Sequence, residues 1–232
     1  MIPWLTSDIS FPSTDLALIE PNGLLAVGGD LSSKRLIHAY SKGIFPWFND
    51  DEPILWWSPD PRMVLFPAEL KISRSLRKAL QKPNYQVSAD CAFDQVISGC
   101  AAPRRKQRGT WINPRMMEAY IELHRMGHAH SVETWTEGKL AGGLYGVALG
   151  RAFFGESMFA RTTDASKIAF VHLVKQLARW RFGIVDCQMK TAHLASLGAR
   201  EIPRAQFTRI IEELIHYRGI EGTWRLDNDL LK

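Results

Sequence analysis

The stretch that decides the fold is RFGIVDCQMKTAHLASLG, residues 181–198, in which a short apolar strand runs into a helix. Because side chains alternate along a strand, Asp186 and Gln188 are expected on one face and Cys187 on the other. Two interpretations stay open for this polar pair. In the first, Asp186 caps the following helix and Gln188 is a hydrogen-bonded core amide. In the second, the two side chains form a functional site.

The patterns upstream place this strand in the middle of a sheet. Residues 129–159 read as an antiparallel meander whose turns carry Gly138 and Gly150, and an amphipathic helix pattern fills the interval before residue 181. The order predicts an α+β fold, a mixed sheet flanked by helices with a strand-helix-strand unit over 152–188. It resembles the GNAT acyltransferase superfamily.

The first sixty residues differ in character from the rest. They are rich in turns and tryptophan, and one helix is indicated, capped by Ser32 or Ser33 and ended by Gly43. We therefore expect a small, aromatic-rich N-terminal α+β domain over residues 1–62 and a GNAT-like catalytic domain over residues 63–232.

Composition narrows the class of protein. No apolar run approaches the ~20 residues that span a bilayer, and the amino terminus lacks the basic and apolar regions of a secretory signal. The three cysteines, Cys91, Cys100 and Cys187, include no CxxC pair, which is typical of a reducing compartment. These features predict a cytoplasmic protein that has no membrane partner.

The basic charge is concentrated in one segment. Residues 71–115 carry ten basic and two acidic side chains, or +8, whereas the whole chain is +5. A block of this kind favours a polyanionic partner such as a nucleic acid, and the alternative is a solvated face.

Nine strings, in order along the chain, carry a resemblance that covers nearly its whole length. They are EPNGLLAVGGDLS, GIFPWF, ILWWSPDPR, GTWI, GHAHSVE, GGLYGV, FFGESMF, DCQ and SLGAREIPR. In these the sequence resembles the bacterial leucyl/phenylalanyl-tRNA–protein transferase family. The resemblance implies an enzyme that moves leucine or phenylalanine, and less readily methionine, from aminoacyl-tRNA to the α-amine of proteins beginning with Lys or Arg. It also implies that the tagged proteins enter N-degron proteolysis. We expect the enzyme to act as a monomer.

This chemistry makes a clear demand on the catalytic residues. An aminoacyl ester is already activated, so no cofactor or metal is expected, but an α-ammonium with a pKa near ~8 must lose a proton before it attacks. Gln188 is expected to accept from the attacking nitrogen, while Asp186 orients and polarises its amide. Glu156, on a neighbouring strand, is expected to attract the positive acceptor. The alternative for Glu156 is an edge-strand carboxylate.

Leucine and phenylalanine require a deep apolar pocket. Candidates for its lining are Leu144, Phe153, Met158 and Ile184, and the alternative is that these residues are plain core.

The single-stranded 3′ end of tRNA calls for stacking platforms beside a basic groove. Trp47 and Trp111 fit that description, and the family implies that Tyr120 lies close to the terminal adenosine. Candidate residues for binding the tRNA itself are Arg74, Arg77, Lys78, Arg104, Arg105, Lys106 and Arg108.

Three other functions compete with this interpretation. An acyl-coenzyme A transferase would need a glycine-rich turn where the chain reads RTTDAS, and Asp164 there would repel a diphosphate. A hydrolase built on Cys187 and His193 is disfavoured because alternation turns the thiol away from the polar pair. A non-catalytic RNA-binding module explains the basic segment but leaves the candidate catalytic residues without a role.

Overall fold

The computed structural model describes residues 2–102 and 112–231 of the chain. The strands within these ranges are β1 (Trp4–Leu5), β2 (Leu24–Gly28), β3 (Phe45–Pro46), β4 (Leu55–Trp57), β5 (Arg62–Leu65), β6 (Gln86–Ala89), β7 (Ala129–Thr136), β8 (Lys139–Leu149), β9 (Ala152–Ala160), β10 (Ile184–Gln188) and β11 (Arg200–Ile202). The α-helices in the same ranges are α1 (Ser33–Ser41), α2 (Arg74–Leu80), α3 (Phe93–Ala101), α4 (Pro114–Arg125), α5 (Ala165–Arg179), α6 (Ala192–Ser196) and α7 (Arg204–Leu214).

The N-terminal region forms a four-stranded sheet of order β1-β2-β4-β3 beside helix α1. The helix predicted there is confirmed: the Ser32 hydroxyl accepts from the Arg35 backbone N–H at 3.4 Å. The helix stops before Gly43, whose φ is +72°; a Cβ at this position would also lie 2.9 Å from the Phe207 ring. The sequence patterns do not indicate three of these strands, because β1, β3 and β4 have only two or three residues, too few to show a two-residue period.

The second sheet has seven strands in the order β11-β5-β10-β9-β8-β7-β6. Strand β10 pairs in parallel with β9 and antiparallel with β5, so the sheet is mixed, and β9, α5 and β10 form the expected strand-helix-strand unit. The prediction of an α+β fold with a mixed sheet flanked by helices is confirmed.

Alternation along the strands divides the interior into two hydrophobic clusters. Phe154 and Ile184 belong to the cluster that contains helices α3 and α4, whereas Phe153 and Val185 belong to the one that contains α5. The first cluster also takes in buried side chains of the N-terminal region such as Trp56. The division at residues 62 and 63 therefore remains a prediction.

The lengths and polarities of the helices show whether any of them could cross a membrane. Among the described residues, no helix combines the length and the apolar character that crossing a bilayer requires.

The position of the candidate site is set by the parallel pair at the centre of the large sheet. Its register runs from Ile184 opposite Ala152 to Asp186 opposite Phe154, and β9 and β10 each carry an irregularity immediately beyond that point. Beyond Asp186 and Phe154, a hydrogen bond between side chains joins the two strands: Gln188 Nε2 donates to Glu156 Oε1 at 2.8 Å. The polar residues of the opening motif thus lie where the two central strands separate.

Candidate active site

Asp186 has no exposed surface and is held by a buried arginine. Arg62 Nε lies 2.8 Å from Asp186 Oδ1 and Arg62 Nη2 lies 2.7 Å from Oδ2, a bidentate pair. The guanidinium also donates to the Gly43 carbonyl at 3.1 Å and lies over the rings of Phe45 and Phe207. The carboxylate is therefore compensated and fixed within the core.

Asp186 acts on Gln188 through the main chain. The backbone N–H of Gln188 donates to Asp186 Oδ1 at 2.9 Å, and Gln188 has a φ of +60° at the irregularity that ends β10. The simple alternation expected from the sequence does not continue to this residue. The carboxylate holds the backbone of Gln188, and the side-chain amide is held by a different group.

That group is Glu156, which is 9% exposed and contacts three side chains. Tyr40 Oη lies 2.7 Å from Glu156 Oε1, Tyr120 Oη lies 2.9 Å from Oε2, and Gln188 Nε2 donates to Oε1. Burial is the main cause that raises the pKa of Glu156 to about 7, and the nearby charge of Asp186 adds to the rise. A carboxyl of this kind changes charge in the physiological range.

The side chain of Gln188 is partly exposed. Its Nε2 is engaged by Glu156, and none of the described residues donates to its carbonyl oxygen. The amide therefore presents an acceptor at the separation of the strands, held at its backbone by Asp186 and at its nitrogen by Glu156.

The predicted stacking residues have different surroundings. Trp47 follows β3, is 37% exposed, and packs edge-on against Trp57 with ring centroids 5.6 Å apart. Tyr120 has no exposed ring surface and instead takes part in the contacts around Glu156. Trp111 lies outside the described residues.

Three of the four pocket candidates share one cluster. Leu144 and Phe153 are buried in it and Met158 packs against it, whereas Ile184 lies in the cluster on the opposite face. Because of alternation, Val185 is the residue of β10 that joins the first three.

Part of the predicted tRNA-binding set lies on one exposed helix face. Arg74, Arg77 and Lys78 are exposed on α2, whose Leu76 packs into the core, and none of the three forms a salt bridge with another described residue. The other candidates, Arg104, Arg105, Lys106 and Arg108, lie outside the described residues.

The geometry bears on the competing functions. Asp164 occupies the N-cap position of α5 at a φ of +64°, and its carboxylate pairs with Lys167 Nζ at 2.9 Å. This places negative charge where coenzyme A transferases carry bare amides. The Cys187 thiol donates to the Val185 carbonyl at 3.8 Å, and burial raises its pKa far above the ordinary value, so it is not an activated nucleophile.

Sequence reasoning missed two residues of this network, Arg62 and Tyr40. A buried aspartate needs a buried cation as its partner. If Asp186 is taken to be buried, an arginine in another strand pattern, such as Arg62, is therefore a candidate for that partner. Tyr40 lies on the buried side of α1, and only the tertiary structure brings its hydroxyl to Glu156.

Comparison with known proteins assigns the family. The family model described as leucyl/phenylalanyl-tRNA protein transferase matches residues 64–212, and the model of that family's N-terminal domain matches residues 29–60. A leucyl/phenylalanyl-tRNA–protein transferase of Nitrosospira multiformis is 66% identical over 99% of both chains. One of Nitrosomonas europaea is also 66% identical, over 98% of this chain and 96% of the relative.

Solved structures are more distant. A GCN5-related N-acetyltransferase from Kribbella flavida covers 73% of this chain and 59% of its own, with 9% identity and a TM-score of 0.37.

Together with the mixed α+β fold, the family model and the curated relatives define the chain as an aminoacyltransferase. The chain belongs to the leucyl/phenylalanyl-tRNA–protein transferase family.

Proposed function

We propose that this chain transfers leucine or phenylalanine, and less readily methionine, from tRNA to the α-amine of proteins that begin with Lys or Arg. The observation that carries the proposal is the Gln188 amide, partly exposed where β9 and β10 separate and held on two sides by buried carboxyl groups. An amide needed only for packing would not require two such supports.

The reaction joins an amine to an activated ester. The acceptor nitrogen enters with its N–H directed at Gln188 Oε1, which accepts and orients its lone pair toward the ester carbonyl. The C–N bond forms, the C–O bond to the tRNA ribose breaks, and the amine proton leaves as the ribose hydroxyl is restored. Asp186, held by Arg62, fixes the backbone of Gln188 so that this oxygen stays in place.

The donor is recognised by its apolar side chain and by its RNA. The cluster of Leu144, Phe153, Met158 and Val185 surrounds the transferred side chain, and its flexible methionine suits guests of different shape. The partly exposed Trp47, together with Trp111, stacks on the terminal adenosine.

The tRNA stem lies across the basic segment. Three of its candidate residues, Arg74, Arg77 and Lys78, form an exposed face on α2, where they meet the phosphate backbone.

The wider setting is part of the same proposal. The tagged proteins are substrates for N-degron proteolysis, and the enzyme works as a cytoplasmic monomer. The three cysteines are free thiols, as a reducing compartment requires.

One assay tests the transfer directly. Radiolabelled Leu-tRNA is incubated with the enzyme and a peptide that begins with Arg, and label is expected in the peptide. A peptide that begins with acetylated Arg is the matched control, because it lacks the nucleophilic amine. If neither peptide is labelled while the tRNA still binds, the chain is an RNA-binding module and the proposal fails.

Gln188→Ala tests the residue on which the mechanism depends. Because Gln188 is partly exposed, the variant is expected to fold and to bind Leu-tRNA as the wild type does, while its rate of transfer falls by about 100-fold or more. A transfer rate within threefold of the wild type would contradict the role given to this amide.

A further inference from the structure

Three short contacts at the site join two phenolic oxygens and the two carboxyl oxygens of Glu156. Tyr40 Oη and Tyr120 Oη are 2.5 Å apart, and each of them also reaches one carboxyl oxygen of Glu156, at 2.7 Å and 2.9 Å. All three side chains are buried. The three groups therefore close a ring of hydrogen bonds, here called the Glu156 ring.

The ring has a proton requirement that can be counted. Three oxygen–oxygen contacts need three protons, and each phenol supplies one. If Glu156 is ionised, one contact joins two lone pairs, and the shortest contact in the ring makes such an arrangement costly. Each of the three contacts has a proton only when the carboxyl group of Glu156 supplies the third one.

We propose that Glu156 in its neutral, protonated form closes the Glu156 ring, and that Tyr40 and Tyr120 are positioning residues for Gln188. This inference rests on the proposed function for its role in catalysis. The structural part, the protonated ring, stands without it.

The place of the proton follows from the other contacts. Glu156 Oε1 faces Gln188 Nε2, a group that can only donate, so Oε1 is an acceptor. With the proton on Oε2, donated to Tyr120, which donates to Tyr40, which donates back to Oε1, each of the three contacts has one proton. Because Nε2 is the atom that faces Glu156, the carbonyl oxygen of Gln188 faces away from it.

A neutral ring has a consequence for the nucleophile. An ionised Glu156 beside the site would favour the ammonium form of the acceptor, which cannot attack an ester. A neutral Glu156 removes that preference, because the other charges nearby, on Asp186 and Arg62, already cancel as a buried pair. The site thereby accepts the amine in its reactive, uncharged form.

The groups that face Glu156 agree with this charge state. The carboxylate of Asp186, on β10, lies near enough to disfavour a second negative charge, and Arg62 on β5 is committed to Asp186. Tyr145 on β8, fully buried, and Cys100 on α3 beyond it supply no positive charge. Burial acts in the same direction on the pKa of Glu156, which it raises to about 7.

Isotope-edited infrared spectroscopy tests the proton without any substrate. The full chain is labelled with ¹³C at the glutamate carboxyl, and spectra are compared between pH 5.5 and pH 9. We expect a protonated carboxyl band at the lower pH that disappears with a midpoint near 7. Glu156→Gln removes the band while its amide keeps a donor and an acceptor in the ring. Glu156→Asp removes the label as well and retains a carboxyl group.

Glu133→Gln is the matched control. Glu133 is equally buried and accepts from two hydroxyls, of Ser88 and Ser131, so its two contacts already have two protons. Its substitution should leave the neutral-range band unchanged. A band absent at pH 5.5, or one that survives in both Glu156 variants, overturns the inference.

Tyr40→Phe separates the ring from an ordinary donor role. The variant leaves one oxygen–oxygen contact, between Tyr120 and Glu156, and the phenolic proton of Tyr120 is enough for it. Glu156 can then be ionised without an unprotonated contact, so the midpoint of the carboxyl band should fall by at least half a pH unit. If Tyr40 merely donates to a carboxylate, its loss should raise the midpoint, and that result would overturn the inference. Transfer to an Arg-initiated peptide is measured separately, so a failed assay would refute the proposed function and leave the ring intact.

Discussion

At the scale of single residues, two buried carboxyl groups of the candidate site have different surroundings. Asp186 keeps its charge because Arg62 meets it with two hydrogen bonds, whereas Glu156 has no cation beside it among the described residues. Both support Gln188, one at the backbone and one at the amide nitrogen. The chemistry of the exposed amide therefore depends on groups that solvent does not reach.

Arg62→Leu is expected to destabilise the fold by about 3–5 kcal/mol, because it leaves the Asp186 charge buried without a partner. Urea unfolding at pH 7 measures the effect. The double variant Arg62→Leu with Asp186→Leu should regain most of that stability and remain inactive in transfer, since the Gln188 N–H has lost its acceptor. A double variant as unstable as the single one would contradict this account.

Glu156 should make stability depend on pH. Its pKa rises from 4.5 to about 7 on folding, so the folded state binds the proton more tightly. That stabilisation, about 3 kcal/mol, is fully present below pH 4.5 and is lost as the pH rises through 7. The difference in unfolding free energy between Glu156→Gln and the wild type, measured from pH 4.5 to 8.5, should therefore grow in favour of the variant. A flat difference would show that Glu156 ionises equally in both states.

At the scale of elements, strand β10 and helix α2 have different proposed roles. Strand β10 begins as a buried core strand and ends at Gln188 with a positive φ, so its last residue leaves the regular ladder and reaches Glu156. Helix α2 is anchored by Leu76 and leaves its basic residues exposed. In the proposed function, β10 places the reacting group and α2 binds the RNA.

Neutralising helix α2 should weaken tRNA binding and its salt dependence. With Arg74, Arg77 and Lys78 all changed to Gln, we expect the slope of log affinity against log salt to become shallower by about 2 to 3. A control with the same loss of charge changes the exposed residues Lys34, Lys139 and Arg209 to Gln. Equal slopes in the two variants would mean that only net charge matters.

At the scale of the whole molecule, the C-terminal segment around Trp224 packs against the core beside the large sheet. The Trp224 ring stacks on His130 at 3.8 Å, and its backbone N–H donates to the buried carboxylate of Asp90 at 2.7 Å. Asp90 also contacts His130 Nδ1 and accepts from the Ser131 N–H. A segment without a recognisable motif is thereby fixed to β7 from more than 90 residues away.

Trp224→Ala should cost about 3–5 kcal/mol of stability, because it empties a fully buried aromatic site. Thermal unfolding measures the loss. At temperatures well below the transition, transfer is expected to fall as well, because the Trp224 ring packs against Phe153 of the proposed apolar pocket, with ring centroids 5.9 Å apart. Transfer at the wild-type rate in a variant that is still folded would show that the segment does not shape the active site.

The sequence predicted some elements better than others. The meander, the long helix and strand β10 are each long or strongly patterned, and all are present where the patterns place them. The short strands β1, β3 and β11 were missed because two or three residues carry no period. Within the candidate site, the sequence pointed to Glu156, Asp186 and Gln188 as polar residues in strand patterns.

What the sequence by itself determined is the α+β class, the basic segment and the polar residues that interrupt apolar strands. Each of these depends on local composition and period. The partners of those residues were decided only by the tertiary structure, because Arg62, Tyr40 and Tyr120 come from separate elements far apart along the chain. Charge compensation in a core is a long-range requirement, and no local pattern specifies which distant side chain will meet it.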